Sequence, residues 1–249
     1  MVKIIISGAL GKMGVKVAES VNKNENAAVA CGIDKAVSDK LPFPVYDGFN
    51  SVKEDADVII DFSSPANLDN VLNFAKAKKI GAVLCTTGYS EKDEKKIADA
   101  AKTVPMFRSA NMSLGVNVLI DLVKKAASSL SGFDAEIVEM HHNEKADAPS
   151  GTALMLADGI KEVLPEKYYV YGRSGKTLRD KNEIGIHALR GGTVVGEHQV
   201  IFAGKNETVV LSHSAQDRSV FAEGAVKAAI YLSGKKNGLY NMSDMINGR

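Results

Sequence analysis

The alternation of short apolar strands with helices in the first half of the chain most constrains its fold. The β-branched run Val2–Ser7 ends at a glycine and is followed by helical spacing over 15–21. Further strand-like runs lie at 29–33, 58–62, 82–85 and 104–107, and helix-like segments lie at 67–79 and 91–102. This order predicts an α/β fold with a Rossmann-like, doubly wound parallel sheet that is covered on both faces.

The pattern changes near residue 112. Helical spacing is found at 114–130, 152–164 and 219–232, and strand-like runs are found at 133–142, 184–189, 194–202 and 208–212. Strands that follow one another without helices predict a mixed or antiparallel sheet in a C-terminal α+β domain. We therefore expect two domains, 1–112 and 113–219, with the C-terminal segment 220–249 rejoining the first.

Composition excludes several classes of protein. The chain has 249 residues with a formal net charge of +1, so it lacks the basic excess that nucleic-acid binding requires. Its N-terminal apolar run is too short for a signal peptide, and no apolar segment is long enough to span a bilayer. Two cysteines, Cys31 and Cys85, in apolar stretches are typical of a reducing compartment. We expect a cytoplasmic protein with no nucleic-acid or membrane partner.

A glycine loop follows the first strand and opens the first helix. Its spacing, Gly-x-x-Gly-x-x-Gly, is a variant of the dinucleotide fingerprint, in which the backbone and the helix N-terminus bind a pyrophosphate. Asp34 follows the second strand about 20 residues later, where an acid would bind the ribose hydroxyls, and Lys35 could pair with the extra phosphate of NADP. We expect NADH and NADPH both to bind, with NADH favoured. The candidate residues are Gly8, Ala9, Leu10, Gly11, Lys12, Met13, Asp34 and Lys35. An ordinary tight turn is the alternative.

Two further loops follow strands of the same predicted sheet. Because ligands lie outside the carboxyl ends of parallel strands, both loops are candidates for contact with the nicotinamide and its ribose. Their residues are Cys85, Thr86 and Thr87 in the first and Ser109, Ala110, Asn111 and Met112 in the second. Plain turn chemistry is the alternative for both.

The segment 141–153 concentrates groups that suit an anionic substrate that must accept a proton. His141 and His142 end a predicted strand, and a histidine is a natural general acid near neutral pH. Lys145 can neutralise a carboxylate or assist proton donation. Ser150 is a good N-cap for the next helix. The N–H groups of Gly151 and Thr152, together with the Ser150 and Thr152 hydroxyls, could bind a carboxylate or phosphate of the substrate. A capped helix beside solvated charges is the alternative, and a metal site lacks a third ligand at suitable spacing.

Two other polar segments each have two possible roles. Arg190 lies between two predicted strands, where a hairpin turn is slightly favoured over a substrate contact. The stretch 171–175 could be a flexible lid or an oligomer contact.

The chain resembles the dihydrodipicolinate reductase family, also called 4-hydroxy-tetrahydrodipicolinate reductase, of lysine and diaminopimelate biosynthesis. The segments that carry the resemblance are 8–14, 85–88, 111–117, 139–153, 190–198 and 221–240. The family has a His-His-x-x-Lys-x-Asp-Ala-Pro-Ser-Gly-Thr-Ala motif, which this chain matches in full at 141–153.

The resemblance implies an NAD(P)H-dependent oxidoreductase acting on a small dicarboxylate. It implies that His141 is the proton donor with Lys145 assisting, and that His142 and the Gly151–Thr152 backbone bind substrate. It also implies a homotetramer built through the second domain and hinge closure between the domains. The family usually has Arg at Lys12, which weakens the expected contact with the NADP phosphate, and often has Gly at Cys85. The rival functions are another two-domain dehydrogenase, a nucleotide sensor and a structural oligomer.

Overall fold

A computed structural model describes residues 1–248 and divides the chain into two compact units. The first unit is Met1–Leu114 together with the C-terminal residues from Arg218 onward, and the second is Gly115–Asp217.

The first unit contains a seven-stranded sheet in which every neighbouring pair of strands is parallel. Its strands are β1 (Val2–Ser7), β2 (Ala27–Ile33), β3 (Val45–Tyr46), β4 (Val58–Asp61), β5 (Gly81–Leu84), β6 (Pro105–Arg108) and β12 (Gly238–Tyr240). Their order is β12-β6-β5-β4-β1-β2-β3. From β1 the chain adds β2 and β3 on one side of the sheet and then β4, β5 and β6 on the other side. This change of direction creates a topological switch point, which is where α/β folds bind ligands.

Helices cover both faces of this sheet, so its central strands are apolar on both sides. Ile4 and Ile6 lie in a core with α1 (Lys12–Asn22) and α6 (Ser219–Leu232), while Ile5 lies in a second core with α2 (Leu68–Lys78) and α3 (Glu91–Ala100). A short helix, α7 (Met242–Ile246), follows β12 and packs against α6. Burial of alternate residues on opposite faces confirms the predicted doubly wound sheet.

The second unit contains a five-stranded mixed sheet in the order β11-β10-β7-β9-β8. Its elements are α4 (Leu114–Ser129, which starts in the first unit), β7 (Asp134–His141), α5 (Gly151–Val163), β8 (Tyr168–Tyr171), β9 (Glu183–Arg190), β10 (Gly196–Ala203) and β11 (Thr208–Ala215). The β10 strand pairs antiparallel with β7 and β11, whereas β7–β9 and β8–β9 are parallel. The predicted α+β class of the C-terminal part is therefore confirmed.

Helices α4 and α5 pack on one face of the mixed sheet. Ala135 and Ile137 of β7 lie in the core beneath them, so Glu139 and His141, at the same alternation, lie on this face too. The strand ends at His141, and His142 already belongs to the following loop. The two adjacent histidines thus need not face opposite sides of one strand.

Three short strands, β3, β8 and β12, and helix α7 were not predicted from the sequence. Each has five residues or fewer, and β8 and β12 contain no fully buried residue, so they lack the apolar run that marks the equally short β4 and β5. Within residues 1–248, no helix has the length and apolar character needed to cross a membrane.

Candidate active site

The glycine loop between β1 and α1 brings the backbone close to the neighbouring strand. Gly8 has a φ of +82°, and a Cβ at this position would lie 2.9 Å from the carbonyl oxygen of Phe62. Both the left-handed backbone and the close approach require glycine here. Gly11 is the N-cap of α1 and has no side chain to cap the helix, so the unpaired N–H groups of the first turn point toward the loop.

Asp34 ties the glycine loop to the end of β2. Its Oδ2 accepts a hydrogen bond from the Leu10 N–H at 2.8 Å, and its Oδ1 accepts one from the Lys35 N–H at 2.8 Å. Lys35 itself is exposed. The acid and the neighbouring cation therefore lie beside the loop, as a ribose-binding site requires.

A first cavity of about 590 Å³ opens beside this loop. The predicted residues that line it are Gly8, Leu10, Gly11, Asp34 and Lys35, joined by residues of the loops after β3 and β4. Ala9 is buried and Lys12 is exposed, and neither is among the lining residues of this cavity.

A second cavity of about 550 Å³ shares Phe62, Ser63 and Ser64 with the first. The predicted residues that line it are Met13, Cys85, Thr86, Thr87, Ala110, Asn111 and Met112. Ser109 is not among them, because its hydroxyl turns inward to donate to the Asn111 carbonyl at 2.8 Å. Together the two cavities follow the carboxyl ends of the parallel strands.

Arg218 and Phe221 are among the lining residues of the second cavity that sequence reasoning missed. They lie at the start of α6, about a hundred positions beyond the loops that they face, and no local motif marks them. Close packing of α6 on Met112, allowed by Gly224, brings them there.

Asp61, another residue that sequence reasoning missed, supports the second cavity from below. It is fully buried at the end of β4 and accepts hydrogen bonds from the Ser63 hydroxyl at 2.6 Å and the Thr86 hydroxyl at 2.8 Å. Tyr89 donates a longer bond at 3.3 Å. Burial and the Asp61 charge raise the pKa of the Tyr89 phenol, so it stays a donor. Asp61 thus joins two loops that line the cavity.

Cys85 lies at the wall of the same cavity with its side chain buried. Burial, followed by the Asp61 charge, raises the pKa of the thiol, so it stays protonated. A neutral, buried thiol leaves the backbone as the part that a ligand could contact.

The second unit holds a buried polar cluster at the ends of β7 and β9. Glu139 is fully buried, and its Oε2 lies 2.6 Å from His141 Nδ1. Arg190 donates from Nη1 to Oε2 and from Nη2 to Oε1, both at 2.8 Å. Burial alone would raise the pKa of Glu139, but the hydrogen bonds from Arg190, His141 and the Ser150 N–H outweigh it and lower that pKa. Glu139 is therefore a carboxylate at neutral pH.

Ser150 joins this cluster to helix α5. Its hydroxyl accepts from the Ala153 N–H at 3.1 Å as the helix cap and lies 2.9 Å from His198 Nε2, while its own N–H donates to Glu139 Oε1 at 3.0 Å. Burial, followed by the charge of His141, lowers the pKa of His198 to about 4, so His198 is neutral at pH 7. Ser150 is itself buried, so its side chain serves the helix and the histidine.

The predicted substrate residues outside this cluster lie around it. Lys145 forms an ion pair with Asp147 at 2.8 Å, and the lysine N–H donates to the His142 carbonyl at 3.2 Å. Hydrogen bonding to Lys145 lowers the pKa of Asp147. Gly151 is exposed at the first position of α5, with open space where a side chain would be, and Thr152 follows it. A cation and a helix N-terminus therefore flank His141 along the chain.

Arg190, which the sequence left open between a turn and a substrate contact, is the last residue of β9. Besides Glu139, its guanidinium donates to the carbonyl of Asp147 at 2.6 Å and to the carbonyl of Lys145 at 3.3 Å. It therefore holds the loop that carries Lys145 against the end of the sheet.

Comparison with known proteins identifies the family. The family model described as "Dihydrodipicolinate reductase, N-terminus" matches residues 2–112. The model described as "Dihydrodipicolinate reductase, C-terminus" matches residues 115–246. The chain belongs to the dihydrodipicolinate reductase family. It is thus an NAD(P)H-dependent oxidoreductase, and the resemblance carried by its motifs is confirmed.

Relatives match over nearly the whole chain. Identity is 57% over 248 residues to the 4-hydroxy-tetrahydrodipicolinate reductase of Caldanaerobacter subterraneus subsp. tengcongensis, covering 99% of this chain and 98% of the relative. Identity is 47% to the enzyme of the same name from Clostridium novyi, with 100% of both chains covered. The solved structure of dipicolinate-bound dihydrodipicolinate reductase from Paenisporosarcina sp. TG-14 matches with a TM-score of 0.82, at 26% identity and 97% coverage of each chain.

Proposed function

We propose that this enzyme reduces 4-hydroxy-tetrahydrodipicolinate to tetrahydrodipicolinate in lysine and diaminopimelate biosynthesis. The names of the relatives support the substrate. The observation that carries the mechanism is the buried His141, whose Nδ1 lies 2.6 Å from the Glu139 carboxylate and whose chain neighbours include Lys145 and the start of α5. A proton donor beside cationic and helix-dipole groups suits a dianionic substrate.

The first unit fits a nicotinamide dinucleotide. Gly8 leaves room where a Cβ would collide with the backbone of Phe62, and the α1 N-terminus carries no side-chain cap. These features suit a pyrophosphate, with Asp34 and Lys35 at the ribose. Residues of the second cavity, including Thr87 and Asn111, would hold the nicotinamide end. When bound, the reduced nicotinamide supplies a hydride.

Cofactor preference follows from the charges beside the first cavity. Asp34 suits the two ribose hydroxyls of NADH, and the adjacent Lys35 can pair with the additional phosphate of NADPH. We propose that both cofactors are used and that NADH is favoured. The carboxylate is fixed by two backbone N–H groups, whereas the Lys35 side chain is exposed and would lose rotamer freedom on binding a phosphate.

The second unit would bind the dicarboxylate. The N–H groups of Gly151 and Thr152 at the start of α5 can donate hydrogen bonds to one carboxylate of the substrate. Lys145 and His142 add positive charge or further donors beside it. Ser150 would act mainly by capping this helix, because its hydroxyl is buried against Ala153 and His198. Its role as a direct substrate contact stays a prediction.

The chemistry balances as one hydride and one proton. The 4-hydroxyl leaves as water, which gives a conjugated cyclic imine. Hydride addition at the ring carbon remote from nitrogen leaves negative charge along the conjugated system. His141, as an imidazolium, gives its proton to quench that charge, and Lys145 assists by its positive charge. One NAD(P)H and one proton are consumed, and NAD(P)⁺, water and tetrahydrodipicolinate are formed.

Two features bear on assembly and compartment. The sheet face opposite α4 and α5 presents Leu189 and Val210, each about half exposed (49% and 51%). These two exposed apolar side chains support our proposal of a homotetramer built through the second unit. Cys31 and Cys85 are free, buried thiols, which supports a reducing, cytoplasmic location.

The test is oxidation of NADH and NADPH with enzymatically generated 4-hydroxy-tetrahydrodipicolinate. Oxidation that depends on substrate and falls in Lys145→Ala is expected, and the two rates rank the cofactors. Dinucleotide binding without oxidation would refute the proposed substrate. Activity with sugars or amino acids would then test for a different two-domain dehydrogenase. Dinucleotide binding that is unchanged in Lys145→Ala would indicate a nucleotide sensor.

A further inference from the structure

We propose that Glu139 is a positioning residue that fixes the ring and the tautomer of His141, so that Nε2 carries and delivers the proton. The inference rests on the proposed function, in which His141 is the proton donor. It assigns the atom that donates and the group that selects it.

The hydrogen bonds at Glu139 determine the direction of the bond to His141. A carboxylate offers about four lone-pair positions, and all four are used here. Oε1 accepts from Arg190 Nη2 and the Ser150 N–H, and Oε2 accepts from Arg190 Nη1 and faces His141 Nδ1. Because arginine stays charged, a fully buried carboxylate that it grips on both oxygens is ionised and can only accept. His141 must therefore donate from Nδ1–H.

This direction leaves Nε2 as the atom that exchanges the reactive proton. The imidazolium carries hydrogen on both nitrogens, and loss of the Nε2 proton leaves the neutral tautomer that Glu139 stabilises. Gly196, which lies opposite His141 on β10, keeps the space beside Nε2 free of a side chain, since a Cβ there would lie 3.1 Å from Nε2. The ring nitrogen that exchanges the proton is thus the one beside which Gly196 places no side chain.

The charged and titratable groups around His141 come from each neighbouring element. Glu139 is on its own strand, Arg190 is on β9, and His198, whose ring centre lies 5.1 Å away, is on β10. Lys145 lies in the loop that follows. His198 is neutral, and the Glu139 carboxylate, which Arg190 also contacts, is the anion within hydrogen-bond distance of the His141 ring.

The chain offers a matched control on the other face of β7. Glu136 faces His187 Nε2 at 2.9 Å and accepts from Arg179 Nε at 3.0 Å, which repeats the carboxylate, histidine and arginine set. Glu136 lies three residues before Glu139 on β7, and side chains alternate along a strand, so Glu136 is on the face away from α5. Glu136→Gln therefore removes the same kind of interaction without touching His141.

The experiment compares Glu139→Gln, Glu136→Gln and His141→Ala in turnover, cofactor affinity and solvent deuterium isotope effect. We expect Glu139→Gln to lower kcat about 10²-fold or more, the range of general acid catalysis, with NAD(P)H affinity unchanged. The solvent isotope effect on kcat should rise because proton transfer becomes slower. Glu136→Gln should lose stability but keep its turnover and isotope effect.

The outcomes separate this inference from the proposed function. Impaired His141→Ala with normal Glu139→Gln turnover overturns the positioning role alone. Normal turnover in His141→Ala overturns the proposed function and this inference together. Equal loss in Glu139→Gln and Glu136→Gln, without a change in isotope effect, would mean that Glu139 is only structural and would overturn the inference.

A measurement on the unmodified enzyme serves if Glu139→Gln fails to fold. Nitrogen-15 NMR of the histidine rings, assigned with His141→Ala, reports which nitrogen is protonated in the neutral ring. We expect hydrogen on Nδ1 of His141. Hydrogen on Nε2 would overturn the inference.

Discussion

Replacing Gly8 by alanine tests whether the glycine loop needs its particular backbone. The residue has a φ of +82°, which costs a residue with a Cβ about 1–2 kcal/mol. The new Cβ would lie 2.9 Å from the Phe62 carbonyl oxygen and 3.1 Å from Ser63 Cα, which are backbone atoms that cannot rotate away. Overpacking of this kind adds about 1–3 kcal/mol. We expect Gly8→Ala to destabilise the protein by about 2–5 kcal/mol, or to move the loop.

The assays are thermal unfolding and dinucleotide calorimetry. At about 2–4 °C per kcal/mol for a chain of this size, Tm should fall by about 4–20 °C. Any movement of the loop should weaken NADH binding by about tenfold or more, which corresponds to about 1.4 kcal/mol.

The matched control for Gly8 is Gly48, which lines the same first cavity. Gly48 has an extended backbone with φ of −178°, and nothing lies within 4 Å of its Cβ position. Gly48→Ala should change stability by less than about 0.5 kcal/mol. Wild-type stability and NADH affinity in Gly8→Ala would refute the reasoning, as would equal losses in both variants.

Three further predictions concern the second unit and cofactor choice. Gly196→Ala should lower kcat about tenfold or more without changing NADH affinity, because a methyl group would crowd His141 Nε2; steady-state kinetics and calorimetry measure both. His198 has a folded pKa lowered to about 4 from 6.5, so its contribution to stability is present above pH 6.5 and is lost as pH falls toward 4. The free energy of unfolding, measured with urea, should therefore change by about 3 kcal/mol less between pH 6.5 and pH 4 in His198→Gln than in the wild type. The same pH dependence in both proteins would contradict this. Asp34→Asn should raise the NADPH-to-NADH ratio of kcat/KM about tenfold, and Lys35→Ala should lower it; ratios that do not move would remove both residues from cofactor selection.

The fold class could be predicted because the deciding pattern is local. The run of Ile4, Ile5 and Ile6 is apolar at every position, which is typical of a strand that is buried on both faces, and the structure divides these side chains between two cores. The predicted parallel sheet depends on this run and on the helices between the strands. The strand β3 has two residues and carries no such pattern.

The candidate site could be predicted only where its residues are neighbours in sequence. The glycine loop and the segment from His141 to Thr152 are continuous motifs. Glu139 and Arg190 are 51 residues apart and meet because β7 and β9 pair in parallel, with His141 beside Arg190. Such a pairing register cannot be read from one sequence, so the contact of Arg190 with the carboxylate that holds His141 was not predicted.

The same limit applies to the first unit. Asp61 reads as the polar end of an apolar strand, and its bonds to Ser63 and Thr86 require two loops that come together only in the folded sheet. Arg218 reaches the second cavity through packing of α6, which is likewise a tertiary effect.

The most direct test of the account is the turnover of His141→Ala with its NADH affinity measured separately. If His141 donates the proton that quenches the reduced substrate, kcat should fall about 10²–10⁴-fold while calorimetric NADH affinity stays at the wild-type value. Turnover near that of the wild type would show that another group supplies the proton and would contradict the central claim.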